Sequence, residues 1–174
     1  MSALDLAAGQ LADAELAAGP AVNVRRATAR DRTELAAMFA RCTPQTRYRR
    51  FHGPVAAFPE RYLAEALAGD PVHFALVAVA DGGRVAALAS CRTTASGTAE
   101  LGVLVADPWQ RLGIGGILLD EIISHAKRTG LTALTAQILA EQSWIIRLLR
   151  RYGACETARV REVLDVTLRL EAGG

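Results

Sequence analysis

The apolar positions along the chain change period several times, and each change predicts an element. Val22 and Val24 alternate with Asn23 and Arg25, which predicts a first strand over Val22–Arg26. A helix follows near Asp31, which serves as its N-cap, and turns Leu35, Met38 and Phe39 inward. Thr43-Pro44 starts a second helix, a capping hydroxyl followed by proline at the first helical position. That helix holds Thr46-Arg47-Tyr48-Arg49-Arg50-Phe51. A third runs from Pro59 to Leu67 and ends at Gly69-Asp70-Pro71. Val72 to Ala80 is a nearly continuous apolar run of strand length. Asp81-Gly82-Gly83 signals a hairpin, and Val85 to Thr93 returns. Ser96-Gly97 is a further turn before a strand over Ala99 to Val105.

The period then becomes helical. Ile114, Leu118 and Ile122 recur every four residues with Leu119 and Ile123 beside them, until Gly130 stops the helix. Leu131 to Leu139 reads as a strand. Trp144, Ile145, Leu148, Leu149 and Tyr152 form the apolar stripe of a last helix ended by Gly153. The segment from Glu156 to Leu170 supplies one or two strands, Val163 and Val166 to Leu170 being the clearer one. This order predicts a mixed α/β (α+β) domain with one central sheet and helices on its faces, over residues 21–174. Residues 1–20, rich in Ala, Leu and Gly, are expected to be an appendage, helical or loose.

Composition narrows the class. A length of 174 residues, 51% hydrophobic and 22% charged, fits one globular domain. No apolar run is long enough to span a membrane. The N-terminus lacks the basic region of a secretory signal or transit peptide, so a cytoplasmic location is expected. The net charge of +2 gives no support to a nucleic-acid partner, although all basic residues except Lys127 are arginine. Cys42, Cys91 and Cys155 are odd in number and widely spaced, against a disulfide framework or zinc site. No histidine pair has metal-ligand spacing, so no metal is expected.

The chemistry concentrates in the strand, glycine-rich turn and helix from Ala99 to Ala126. A glycine turn opening a helix presents unpaired N–H groups and the positive end of the helix dipole, a combination suited to phosphate. Gly113 and Gly115 let a ligand approach the backbone, and Arg111 adds charge. Other readings compete. A dinucleotide fingerprint lacks its third glycine, because Leu118 stands there; a P-loop lacks its Gly-Lys-Ser/Thr; and the glycines could simply serve tight packing.

Gln110-Arg111-Leu112-Gly113-Ile114-Gly115 resembles the Q/R-x-x-G-x-G/A signature of the GNAT acyltransferase superfamily. Leu139-Ala140-Glu141-Gln142, with Leu148-Leu149-Arg150-Arg151-Tyr152-Gly153, resembles its second motif. Thr43 to Gly53 is similar to a segment of bacterial protein lysine acetyltransferases. The resemblance covers residues 22 to about 170. It implies a mostly antiparallel sheet splayed at a β-bulge between two parallel neighbours, with acetyl-CoA in the opening. It further implies that Val103, Leu104 and Val105 offer backbone groups to the pantetheine, that Gln110, Arg111, Gly113, Ile114, Gly115 and Gly116 cradle the pyrophosphate, and that Gln142 faces the cofactor where relatives carry Asn.

Transfer to an amine needs a base, an oxyanion donor and a route for the thiolate proton. Glu100 matches the position of the glutamate in the resembled acetyltransferases; partial burial among apolar neighbours would raise its pKa. The alternative is an exposed glutamate at a strand start. Leu149 stands where many relatives have a Tyr acid, and Tyr152 reads as packing. Arg47, Arg50 and His52 are expected on the acceptor side; the arginines of this segment either face an acceptor with negative charge around its lysine or pair with local acids. His73 reads as a core histidine rather than a second base, and His125 as the surface partner of Glu121. The expected function is direct N-acetyl transfer, without an acyl-cysteine, to protein lysine. A small-molecule amine acetyltransferase and a non-catalytic acyl-CoA sensor stay open, as does a homodimer through an edge strand.

Overall fold

The computed structural model describes residues 21–94 and 97–170; the expected appendage of residues 1–20 and Ser96 of the third turn lie outside the described residues. Seven strands form one sheet: β1 (Val22–Arg26), β2 (His73–Ala80), β3 (Val85–Thr93), β4 (Thr98–Val105), β5 (Ala133–Leu139), β6 (Cys155–Val160) and β7 (Val163–Arg169). Their order is β1-β2-β3-β4-β5-β7-β6, and only β4 and β5 pair in parallel. The mixed α/β architecture with helices on both faces is the one the periodicity predicts.

Helices α1 (Arg32–Arg41), α2 (Pro44–Phe51) and α3 (Glu60–Leu67) cover one face. Leu35, Met38, Phe39 and Leu63 pack there on Val77, Leu88 and Leu104. Helices α4 (Ile114–Arg128) and α5 (Trp144–Leu149) cover the other. Ile114, Leu118, Ile122 and Leu149 pack there on Ala87, Ala99, Leu101 and Leu134. Pleat alternation follows: Ala99, Leu101, Val103 and Val105 face α4, whereas Glu100, Gly102 and Leu104 face α1–α3.

Three local expectations are corrected. Asp31 does not cap α1 with its side chain; its carboxylate accepts the Thr28 N–H (2.8 Å) and the Arg25 guanidinium (2.6 Å), which holds the carboxyl down at about 2. The last helix stops at Leu149, and Trp144 is exposed rather than part of an inward stripe, because six residues cannot bury two faces. His125 does not pair with Glu121; its ring stacks on Phe74 at 3.5 Å, with Arg26 over the same Phe74 ring.

Candidate active site

The sheet opens between β4 and β5. Their pairing consists of Thr98↔Ala133, Ala99↔Leu134 and Glu100↔Thr135, and it ends there although both strands continue. β3 and β4 stay in register throughout. The opening thus lies where the resemblance places it, but the sheet's shift in register falls between Ala78 and Val79 of β2, not in β4. Thr94 N–H donates to Thr98 O and Ala106 N–H to Ala86 O, which sets the parity of the ladder. Even-numbered residues of β4 direct their backbone to β3, and odd-numbered ones toward β5. Val103 and Val105 therefore turn backbone groups toward the opening, and so does Leu101, which the sequence reading missed. Leu104 does not: its backbone belongs to the β3 ladder.

At the far end of β4 the chain makes a tight turn into α4. Arg111 (φ 63°) and Gly113 (φ 82°) are both left-handed. For arginine that conformation costs on the order of 1 kcal/mol, a strain characteristic of ligand-binding turns. Among the described residues no N–H from Arg111 to Gly115 has a backbone acceptor. No atom comes within 4 Å of where a Cβ on Gly113 or Gly116 would lie, and Gly115 meets only Val105 at 3.9 Å. Unpaired donors, open space and the N-terminus of a 15-residue helix fit a pyrophosphate. Gln110 has a different place. Its backbone N–H bonds Asp107 O, and its amide donates to Val105 O (3.0 Å) and Thr46 Oγ1 (3.2 Å), so it shapes the turn from within.

Asp107 was not singled out by the sequence reading, yet it joins both sides of the site. Its carboxylate accepts from the Thr43 N–H (2.9 Å), Thr43 Oγ1 (2.9 Å) and Thr46 Oγ1 (2.8 Å), tying the start of α2 to the end of β4. Burial pushes its carboxyl up, but these bonds outweigh that and hold it below the usual carboxylate range. The Asp-Pro pair ahead of the turn was the available signal.

Helix α2 contacts both β4 and β5 and so reaches across the opening. Glu100 is on this face, at the last paired position. It is exposed and ion-paired with Arg92 (2.5 Å) across β3, not partly buried among apolar side chains, because its cross-strand neighbour is a charge. Arg47 does not face an acceptor. It donates to Cys42 O, Ala56 O and Ala40 O (3.0, 2.9 and 2.9 Å) and lies over the Phe39 ring, holding α2 to the loops around it. Arg50 lies over the rings of Phe51 and Tyr62, 4.9 Å from each, against Gly102. His52 ends α2 in a left-handed conformation. Burial and Arg50 lower its pKa, and its buried Nε2 has no partner. Gln142 sits half-buried in the turn after β5.

The remaining candidates are structural. Leu149 is fully buried, and the Tyr152 hydroxyl donates to Asp120 (2.7 Å) on α4, its pKa pushed up to about 12 by burial and that carboxylate. His73 is mostly buried, with Glu65 and Asp70 at 3.6 and 3.7 Å. A groove of about 420 Å³ lies between α2 and the end of β5, lined by Gln45, Tyr48, Leu139, Glu141 and Arg159. A larger depression, about 470 Å³, lies by β1 and β2, away from the opening. Among the described residues no group of three metal-binding side chains forms, and no helix is long and apolar enough to cross a membrane.

The family model of the acetyltransferase (GNAT) family matches residues 33–154. The chain belongs to that family. It is an N-acetyltransferase fold whose co-substrate is acetyl-CoA. No curated protein sequence matches the chain. Among solved structures it is similar to the GNAT domain of S. lividans PAT, at 23% identity and a TM-score of 0.75 over 86% of this chain and 90% of that one. It is also similar to the ribosomal-protein-S18-alanine N-acetyltransferase from Escherichia coli, at 16% identity and a TM-score of 0.67 over 88% and 96%. A cAMP-binding acyltransferase from Mycobacterium smegmatis shares 24% identity and a TM-score of 0.57, over 86% of this chain and 44% of that one. These likenesses concern the fold of this GNAT acetyltransferase; its acceptor is a separate question.

Proposed function

We propose that this GNAT enzyme transfers the acetyl group of acetyl-CoA directly to the ε-amino group of protein lysines in the cytoplasm, with Glu100 as the base. The observation that carries this reading is the opening beyond Glu100: a carboxylate at its paired end and an anion cradle at the other. The Thr43 to Gly53 segment, similar to that of protein lysine acetyltransferases, supports the lysine acceptor.

In this reading Arg111 and Gly113 to Gly116 hold the pyrophosphate, and the odd-numbered residues of β4 hold the pantetheine as a missing strand would. Gln142 meets the cofactor from the β5 side. Glu100, oriented by Arg92, takes the proton that the ammonium must lose before its nitrogen has a lone pair. The nitrogen attacks the thioester carbonyl, the new N–C bond forms, and the C–S bond breaks. A backbone N–H of Val103 or Val105 faces the developing oxyanion. No side chain needs to protonate the departing sulfur, because a thiol ionises at about 8.5 and leaves readily as thiolate. Leu149 in place of a tyrosine fits that economy.

The test is acetyl-CoA-dependent thiol release, with a lysate protein fraction and a pool of small amines offered separately. Release with the protein fraction, reduced about 100-fold in Glu100→Gln, is the expected result. Release with small amines alone overturns the lysine acceptor, and an unaffected variant overturns Glu100 as base.

A further inference from the structure

We infer that Arg50 binds a carboxylate on the acceptor, so that the enzyme selects lysines with an acidic neighbour in the chain. The inference rests on the acetyl-transfer reading above and names the acceptor that the same site takes.

The arginines of this protein separate by what satisfies them. Among the described residues only Arg47, Arg49 and Arg50 are part-buried; the others are exposed. Arg47 donates to three carbonyls, and Arg49 pairs with Glu141 at 2.9 Å. Arg50 makes no hydrogen bond and no ion pair with any described residue. None of its nitrogens is fully buried, so its five N–H donors stay open to solvent and available to a ligand.

Its seat is built for it. Gly102 stands in the middle of β4, where glycine weakens a strand unless another group must come close. Here that group is Arg50: a Cβ on Gly102 would collide with the guanidinium. The Tyr62 ring beneath it is fixed by a 2.6 Å hydrogen bond to Ser90, a buried hydroxyl on β3 directly opposite Gly102. The aromatic rings take the face of the cation, and its N–H groups remain for a ligand.

The neighbouring acids are already committed. Glu100 pairs with Arg92, Glu141 with Arg49, Glu65 with Arg61, and Asp165 accepts from Gln137. None of these acids pairs with Arg50, which leaves its fork free for a carboxylate carried by the acceptor. A fixed planar fork suits a carboxylate, which it can grip by two parallel bonds. Gly102 lies two residues from Glu100 on the same face, about 7 Å along the strand. A lysine presenting its amine at Glu100 therefore brings the side chain of a neighbouring residue within reach of Arg50.

The test uses synthetic peptides with one central lysine, flanked by Asp and Glu in one set and by their isosteres Asn and Gln in the other. Thiol release from acetyl-CoA gives kcat/KM for each. The wild-type enzyme is expected to favour the acidic peptide by about tenfold or more, the gain of one charge-assisted pair. The ratio should fall toward unity in Arg50→Gln and stay intermediate in Arg50→Lys, which keeps the charge and loses the fork. Equal wild-type rates on the two sets, or a ratio unchanged in Arg50→Gln, overturn the proposal; the wild-type comparison needs no variant to fold. Transfer to small amines but to no peptide refutes the lysine acceptor separately. In that event, preference for an amino acid over its carboxamide supports Arg50, and equal rates overturn it.

Discussion

Replacing Asp107 by Asn should loosen the joint between α2 and the glycine-rich turn that opens α4. Asparagine keeps the shape and one carbonyl oxygen. That oxygen can still accept from the Thr43 and Thr46 hydroxyls, which now converge on Oδ1. Its amide nitrogen, however, then faces the Thr43 N–H, which donates to Oδ2 at 2.9 Å in the wild type. One bond to a charged acceptor is lost, and two donors are opposed. A hydrogen bond to a charged group contributes about 1.5–3 kcal/mol, and partial solvent exposure places this one toward the lower end. Urea unfolding at pH 7 should show a loss of about 1.5–2 kcal/mol, and thermal unfolding a Tm lower by about 3–8 °C for a domain of this size. The pH dependence has a definite sign. The Asp107 carboxyl is held below its unfolded value, so its stabilisation is complete above about pH 4 and is lost as pH falls through the lowered folded value. The gap between wild type and variant should therefore be widest near neutrality and close on acidification. A loss below about 0.5 kcal/mol at pH 7, or a gap that is constant down to pH 2, would refute the reasoning.

Two further outcomes are expected. Gly113→Ala places a side chain on a backbone at φ 82° with no neighbouring atom to strike. Its cost is conformational, about 1–2 kcal/mol, and acetyl-CoA affinity measured by calorimetry should weaken about tenfold if the turn relaxes; unchanged affinity would contradict the cradle. Cys42 and Cys91 are buried, and burial pushes both thiols up to about 11, whereas Cys155 is part-exposed. A disulfide reagent at pH 7.5 should label Cys155 first, and Cys155→Ser should retain acetyl transfer; a variant without activity would point to an acyl-cysteine.

Period and punctuation carried most of the fold. The strand at Val85–Thr93 and the helix ended by Gly130 come directly from alternation and fourfold recurrence, and Thr43-Pro44 caps α2 as its chemistry dictates. What sequence does not contain is which neighbour each side chain meets. Arg47 and Arg50 are three residues apart on one helix and look alike on paper, yet loop carbonyls take the first and aromatic rings the second. Glu100 follows Ala99 and precedes Leu101, which suggests burial; the strand opposite supplies Arg92 and reverses that reading. The role of Gln110 turns on Thr46, 64 positions away. Leu101 escaped notice because its contribution to the opening is backbone parity, which no residue type encodes.

The short pairing of β4 with β5 has an evolutionary consequence. In the proposed reading the co-substrate is received by backbone groups in place of a missing strand, so it is specified by where the chain runs, with little demand on the side chains at Leu101, Val103 and Val105 beyond fitting the core. Selection for co-substrate binding then acts on geometry, and the amino-acid letters are free to drift. A shared fold at 16% identity with an alanine N-acetyltransferase is what such storage permits. The letters that resist drift should be those that build the turn, as Gly113 does, and those that choose the acceptor, which will differ from one enzyme to the next.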